Sequence, residues 1–179
     1  VHTMQSITVV SRILPRSRLS ENLTTLFLGG SEMIIIGYPG IGKSTLASNN
    51  PEAYCYLSAN DYKIYDNSVW MDRYCQDAID EEPYSDVVFV DYYDEVLDRL
   101  NETNSRVIVV APALDLRDEW VKKLLRRYQQ TFQTTHYYDY SRVEHVYDKD
   151  VQYALENARE FYVIRNMKYK LHSILDELR

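Results

Sequence analysis

Apolar residues follow two arrangements along this chain. Five short, mainly apolar runs, at 33–36, 53–57, 87–90, 106–112 and 161–164, show no apolar/polar alternation, the pattern of strands covered on both faces in a parallel sheet. Between them apolar residues recur every three or four positions, as on one face of a helix: Trp70, Met71, Tyr74, Cys75, Ala78 and Ile79; then Val96, Leu97 and Leu100; then Leu116, Trp120, Val121, Leu124, Leu125 and Tyr128; and finally Met167, Leu171, Ile174, Leu175 and Leu178. A helix beginning near Ser44 is stopped early by Asn49-Asn50-Pro51. Asn67 or Ser68 is placed to cap the helix that ends before Pro83, and Asp115 to cap the one running to Tyr128. Residues 148–158 read as a further helix, whereas 129–147 are polar and aromatic without a long apolar period and read as a mobile lid. Strands alternating with helices predict an α/β fold with a five-stranded parallel sheet wound on both sides, a three-layer sandwich.

The first run leads directly into Gly37-Tyr38-Pro39-Gly40-Ile41-Gly42-Lys43-Ser44, which satisfies G-x-x-x-x-G-K-[ST], with Thr45 next. Its glycines open dihedrals closed to residues with a Cβ, so successive N–H groups can converge on an anion-sized nest. Lys43 brings a point charge to β- and γ-phosphates, Ser44 Oγ is a hard oxygen ligand for Mg²⁺, and the helix starting near Lys43 adds its positive end. Residues 37–45 are therefore expected to hold ATP and Mg²⁺ in a P-loop NTPase fold.

Other residues are candidates by position. Ser58 and Asp61 follow the second strand at its carboxyl end, where ligands sit in doubly wound sheets; an Asx turn or helix cap is the other reading of Asp61. Arg73, on the helix after them, is either a clamp on an acceptor phosphate or a solvated surface residue. Asp91 closes the third strand where a Mg²⁺-associated carboxylate belongs, and either it or Asp94 is alternatively a helix cap. At about 100° per residue, Arg127 falls at the edge of the apolar stripe beside Trp120 and can reach a cleft, whereas Lys122, Lys123 and Arg126 read as a solvated basic face. The tyrosines at 137, 138 and 140 can stack on a base or pack on the surface. His136 and His145 show no metal-ligand spacing and receive no role.

Composition narrows the classes. A chain of 179 residues fits one domain with a full core, and a net charge of −7 excludes an extended nucleic-acid surface. Cys55 and Cys75 lack CxxC or His spacing and read as buried, reduced thiols, which points to the cytoplasm. No apolar run approaches the roughly 18 residues of a membrane helix.

Residues 33–179 resemble the small P-loop nucleotide kinases, most closely the adenylate-kinase-like proteins of bacteriophages and bacteria. The resemblance rests on Gly37-Tyr-Pro-Gly-Ile-Gly-Lys-Ser-Thr45 and on the pattern Trp-x-x-basic-Leu-x-x-Arg, here Trp120 to Arg127. It implies Lys43, Ser44 and Thr45 on ATP and Mg²⁺, an acceptor-side role for residues 58–61, and a phosphate-facing Arg127 at the base of a lid spanning about 126–147, in the cytoplasm of a bacterial or phage-infected cell. The activity implied is transfer of the γ-phosphoryl of ATP to a (deoxy)nucleoside monophosphate. Where such kinases show Asp-Gly-[Phe/Tyr]-Pro after the third strand, this chain has Asp91-Tyr-Tyr-Asp94, so two alternatives stay open: an ATP-binding regulator without transfer, and a kinase for a non-nucleotide or polynucleotide-end acceptor. Residues 1–32, basic and nearly free of acids, are expected to be a disordered arm, a leader, or no part of the natural protein. The last is favoured because these kinases commonly begin at the P-loop strand, and Gly29-Gly30 before Met33 could be encoded by GGAGG, the form of a bacterial ribosome-binding site.

Overall fold

The computed structural model describes residues 32–63 and 69–179. The expectations for residues 1–31 and for a cap at Asn67 or Ser68 lie outside them. Five strands, β1 (Met33–Gly37), β2 (Tyr54–Tyr56), β3 (Val87–Asp91), β4 (Val107–Pro112) and β5 (Glu160–Ile164), form one parallel sheet in the order β2-β3-β1-β4-β5. The helices are α1 (Lys43–Asn49), α2 (Ala59–Lys63), α3 (Trp70–Glu81), α4 (Asp94–Asn101), α5 (Arg117–Thr131), α6 (Thr134–Asn157) and α7 (Leu171–Leu178). This is the α/β P-loop NTPase fold predicted from the runs and the motif.

The apolar runs explain the order of burial. β1 is central, paired with β3 on one side and β4 on the other, and Met33 to Ile36 are wholly buried, as are Val87 to Val90 of β3. Truncating such a residue, Ile35→Ala for instance, costs about 2–5 kcal/mol. From β1 the chain moves across the sheet to β2, and every later connection moves the opposite way. Right-handed crossovers therefore put α1 on one face and α3, α4 and the α5–α6 pair on the other. The packing agrees: α7 lies against α1, and α4 lies against both α3 and α6. Adjacent strands β1 and β3 thus leave the sheet toward opposite faces, which opens a crevice at their carboxyl ends. Their register aligns Gly37 with Asp91 at that crevice.

Two local expectations change, and one open reading is narrowed. Residues 134–147, read from sequence as part of a mobile lid without a long apolar period, are helical: they begin α6, which runs unbroken to Asn157 and forms a helical hairpin with α5. Its buried stripe, Val143, Tyr147, Asp150, Val151 and Ala154, has helical spacing, but an aspartate and a tyrosine interrupt its apolar character. Asp115 does not cap α5: it lies in a 3₁₀ turn, Leu114–Leu116, and the helix begins at Arg117 with no side-chain cap. Tyr137 packs on Tyr128 across the hairpin (ring centroids 5.3 Å apart), while Tyr138 is exposed.

Cys55 and Cys75 are unpaired, and burial raises both thiols to about 11. No helix among the described residues is long and apolar enough to cross a membrane.

Candidate active site

The P-loop leaves β1 at Gly37 and is pinned beside β4, where Tyr38 N–H donates to Val110 O (3.0 Å). Gly40 (φ +85°) and Gly42 (φ +103°) take left-handed backbone conformations, and Gly42 is the N-cap of α1. Gly37 serves differently. Its φ is ordinary, but a Cβ there would lie 2.6 Å from both Lys43 Cδ and Ile41 Cδ1, so the missing side chain lets the lysine stem fold over the strand end. A cavity of about 400 Å³ opens above the loop, lined by Pro39, Gly40, Gly42, Lys43, Ser44 and Thr45 from this side. Tyr38 and Ile41 are buried beneath and anchor the turn.

Lys43 is 6% exposed, and its ammonium donates to Gly37 O (2.6 Å) and Tyr38 O (3.3 Å) and lies 3.1 Å from Asp91 Oδ1. Asp91 is held from several directions. Tyr56 Oη donates to Oδ1 (3.0 Å), Ala59 N–H to Oδ2 (2.9 Å), and the Asp91 N–H donates to Tyr74 Oη (2.6 Å), which in turn donates to Leu57 O (2.8 Å). Next to this carboxylate, burial and the charge of Asp91 push the Tyr56 phenol far above its ordinary range, so it remains a proton donor. Asp91 is accordingly a fixed anion at the P-loop mouth and does not cap α4, whose N-cap is Tyr93.

The α5 face toward the loop repeats every three or four residues. Trp120 Nε1 donates to Pro39 O (2.8 Å), Lys123 Nζ to Gly40 O (2.8 Å), and Leu124 Cδ2 would meet a Cβ on Gly40 at 2.7 Å; Arg127, one step further, lines the cavity. Lys123 is therefore not part of the solvated face, on which Lys122 and Arg126 do lie. It sits over the Trp120 and Tyr169 rings, and burial lowers its pKa to about 8. Carbonyls turned outward by the nest need donors, and α5 supplies two of them.

The hairpin forms the opposite wall with Arg127, Thr135, His136 and Asp139. Arg127 Nη1 stands 3.7 Å from Asp139 Oδ2. Burial raises the Asp139 pKa, and the charge of Asp91 adds to this, while Lys43, Arg127 and Arg142 oppose it. Thr131 Oγ1 donates its proton to Arg127 O (3.0 Å), so the 2.6 Å contact between Thr131 Oγ1 and His136 Nδ1 assigns the ring proton to Nδ1 and leaves Nε2 an acceptor. Burial and Arg127 lower the His136 pKa.

Beyond β2, Ser58 and Asn60 line the cavity with Tyr56. Asp61 is exposed in the first turn of α2, its N–H bonded to Ser58 O (3.1 Å), and it does not line the cavity. Arg73 is 66% exposed, 4.0 Å from Asp77 one turn along α3, and also lies outside it. Tyr56, Asn60, Thr135, His136 and Asp139 were not singled out from sequence; a helical stripe His136, Asp139, Val143 would have placed the last two on the wall. Among the described residues no three His, Cys, Asp or Glu side chains cluster to hold a metal. Ser44 Oγ with the Asp91 carboxylate nearby suits an ion held chiefly by nucleotide phosphates and water, as Mg²⁺ is.

Behind the loop lies a second polar group. The buried Tyr38 hydroxyl has no partner in hydrogen-bonding geometry, and faces Asp150, a buried carboxylate whose partner is Arg142 (2.7 Å). Arg142 also donates to Tyr92 O (2.9 Å), and Tyr92 Oη reaches Asp150 O (2.9 Å), so α6 is tied to the residue after Asp91.

No family model and no curated relative matches the sequence. Similar solved structures include shikimate kinase from Bacteroides thetaiotaomicron, with 12% identity and a TM-score of 0.49 over 82% of this chain and 94% of that one. Another is the tunicamycin resistance protein of Deinococcus radiodurans, with 10% identity and a TM-score of 0.48 over 82% and 91%. At such identity the likeness is one of chain path, and the site stands on its own residues.

Proposed function

We propose that this protein is a P-loop phosphotransferase that moves the γ-phosphoryl of ATP to a small acceptor. The observation that carries the reading is the meeting of Lys43, Ser44 and Arg127 on one cavity over a glycine nest. Residues 37–45 would hold the triphosphate, Ser44 and Asp91 would hold Mg²⁺ with its waters, and the ion would supply charge neutralisation of the phosphate oxygens. Lys43 is already buried beside Asp91, so its ammonium is aimed at the loop without a folding step. Arg127, on the other wall, neutralises the charge that develops on the moving phosphoryl group. Water is limited by the α5–α6 hairpin, of which the lid region 126–147 is the tip.

The sequence resemblance names a (deoxy)nucleoside monophosphate as acceptor, whereas the charges lining the cavity favour an uncharged one, and Ser58 is the predicted acceptor-side residue on that cavity. The test is ATP turnover with Mg²⁺ against a panel of acceptors and a no-acceptor control, alongside Lys43→Ala. ADP formed only with an acceptor, and lost in Lys43→Ala, supports transfer. ATP binding with no acceptor-dependent ADP would return the chain to the regulator class.

A further inference from the structure

The charges on the cavity walls cancel. Lys43 faces Asp91 at 3.1 Å and Arg127 faces Asp139 at 3.7 Å, and no other Lys or Arg lines the cavity among the described residues. The stretch 64–68, Ile-Tyr-Asp-Asn-Ser, has no Lys or Arg; Arg12, Arg16 and Arg18 lie outside the described residues. Neighbouring cations are committed elsewhere: Lys63 to Tyr93 Oη (2.6 Å), Arg142 to Asp150 and Tyr92 O, Lys123 to Gly40 O, and Arg73 to the outer face of α3. A triphosphate with its ion would engage both Lys43 and Arg127. A second phosphate, from a nucleoside monophosphate, would then meet Asp139 with no further arginine among the described residues to receive it, and a dianion so placed is repelled.

What the acceptor side does offer is neutral: Ser58, Asn60, Thr135 and the unprotonated Nε2 of His136, around the Asp139 carboxylate. Resting on the phosphotransferase reading above, we infer that the acceptor is an uncharged hydroxyl-bearing molecule, of the nucleoside or polyol kind, and that Asp139 takes the hydroxyl proton. In the step, the hydroxyl oxygen forms a bond to the γ-phosphorus as the bond from that phosphorus to the β,γ-bridging oxygen breaks. The electron pair leaves with ADP, the hydroxyl proton passes to Asp139, and the product is a phosphomonoester. Asp139 suits this because it lines the cavity, and partial burial and the Asp91 charge make its carboxylate a better base than a fully exposed one.

The experiment uses the full 179-residue chain. ATP affinity is measured first by calorimetry, since absence of ATP binding would sink the phosphotransferase reading itself. With ATP and Mg²⁺, nucleosides, their 5′-monophosphates, and sugars or polyols are offered in separate arms, and products are identified by ³¹P NMR, which separates phosphomonoesters from phosphoanhydrides. Expected is monoester formation in the nucleoside or the polyol arm, no diphosphate in the monophosphate arm, a loss of roughly 100-fold or more in kcat for Asp139→Asn, and recovery of part of it in Asp139→Glu. A phosphoanhydride product, transfer to neither class above the water control, or an Asp139→Asn rate within threefold of wild type would each overturn the inference. Asp139 is 36% exposed and the Asn change is nearly isosteric, so folding is expected to survive and is checked by circular dichroism.

Discussion

Removing the Arg127 guanidinium should stop transfer while leaving the protein folded and able to bind ATP. Arg127→Ala deletes one of the two Lys or Arg side chains that line the cavity among the described residues, the one that faces it from α5 instead of the P-loop. An arginine at the transferring phosphoryl group contributes on the order of 10³ or more in rate, which is about 4 kcal/mol of barrier. Stability should hardly move, because the partner Asp139 is 3.7 Å away and both side chains are more than a third exposed. Such a pair contributes about 0–1 kcal/mol, a shift in Tm of a few degrees at most. Affinity for ATP is expected within about threefold of wild type, since the nest amides and Lys43 remain. The assay is kcat at saturating ATP beside a calorimetric Kd and a thermal melt. A kcat retained within threefold would refute the reasoning, and a large rise in Kd at unchanged kcat would make Arg127 a ground-state ligand. The neighbouring Asp139 sharpens the test. Were Asp139 merely a tether that holds Arg127 away from the phosphates, Asp139→Asn would free the arginine and raise the rate. A proton acceptor predicts the opposite sign, so the two variants read together separate a tether from a base.

Two further outcomes concern the polar group behind the loop. Tyr38→Phe removes a buried hydroxyl without a partner and should stabilise the protein by about 1 kcal/mol, read as a higher urea midpoint at unchanged m; a lower midpoint would mean that the hydroxyl is bonded to Asp150. Asp150, pushed up to about 6 by burial against the opposing charges of Arg142 and Lys149, holds its proton in the folded state between about pH 4 and 6, where the unfolded chain has released it. The stability it adds is therefore full below about pH 4 and lost as pH rises through 6, with a slope of at most about 1.4 kcal/mol per pH unit. Asp94 and the Tyr38 hydroxyl face the same carboxylate, so the readout is the wild-type profile minus that of Asp150→Asn, and a flat difference would contradict it.

What the sequence disclosed and what it hid divide along a physical line. Strands of a parallel sheet are buried on both faces, so Met33–Gly37, Val87–Asp91 and Val107–Pro112 announce themselves as apolar runs, and a nest needs its glycines whatever surrounds it. From those alone the sheet, the loop and the carboxylate at the end of β3 were legible. A helix wall that carries a polar cavity is different, because its inward face must itself be polar. His136, Asp139 and Asp150 occupy the same periodic stripe as Val143 and Ala154, and counting only apolar residues erased about the first four turns of α6. The basic residues of α5 were hidden by the same ambiguity. Lys122, Lys123, Arg126 and Arg127 are alike in sequence, and only the angle around the helix separates a cavity-lining arginine from a solvated one. Lys123 shows that the angle is still not enough. Its stem crosses Trp120 and Tyr169 to reach the Gly40 carbonyl, a bond whose acceptor exists only once the P-loop has turned that carbonyl outward. The Trp120, Lys123, Leu124, Arg127 pattern therefore has one structural cause: three of its side chains brace the outer side of the nest, and in doing so fix the helix turn that aims the fourth at the cavity.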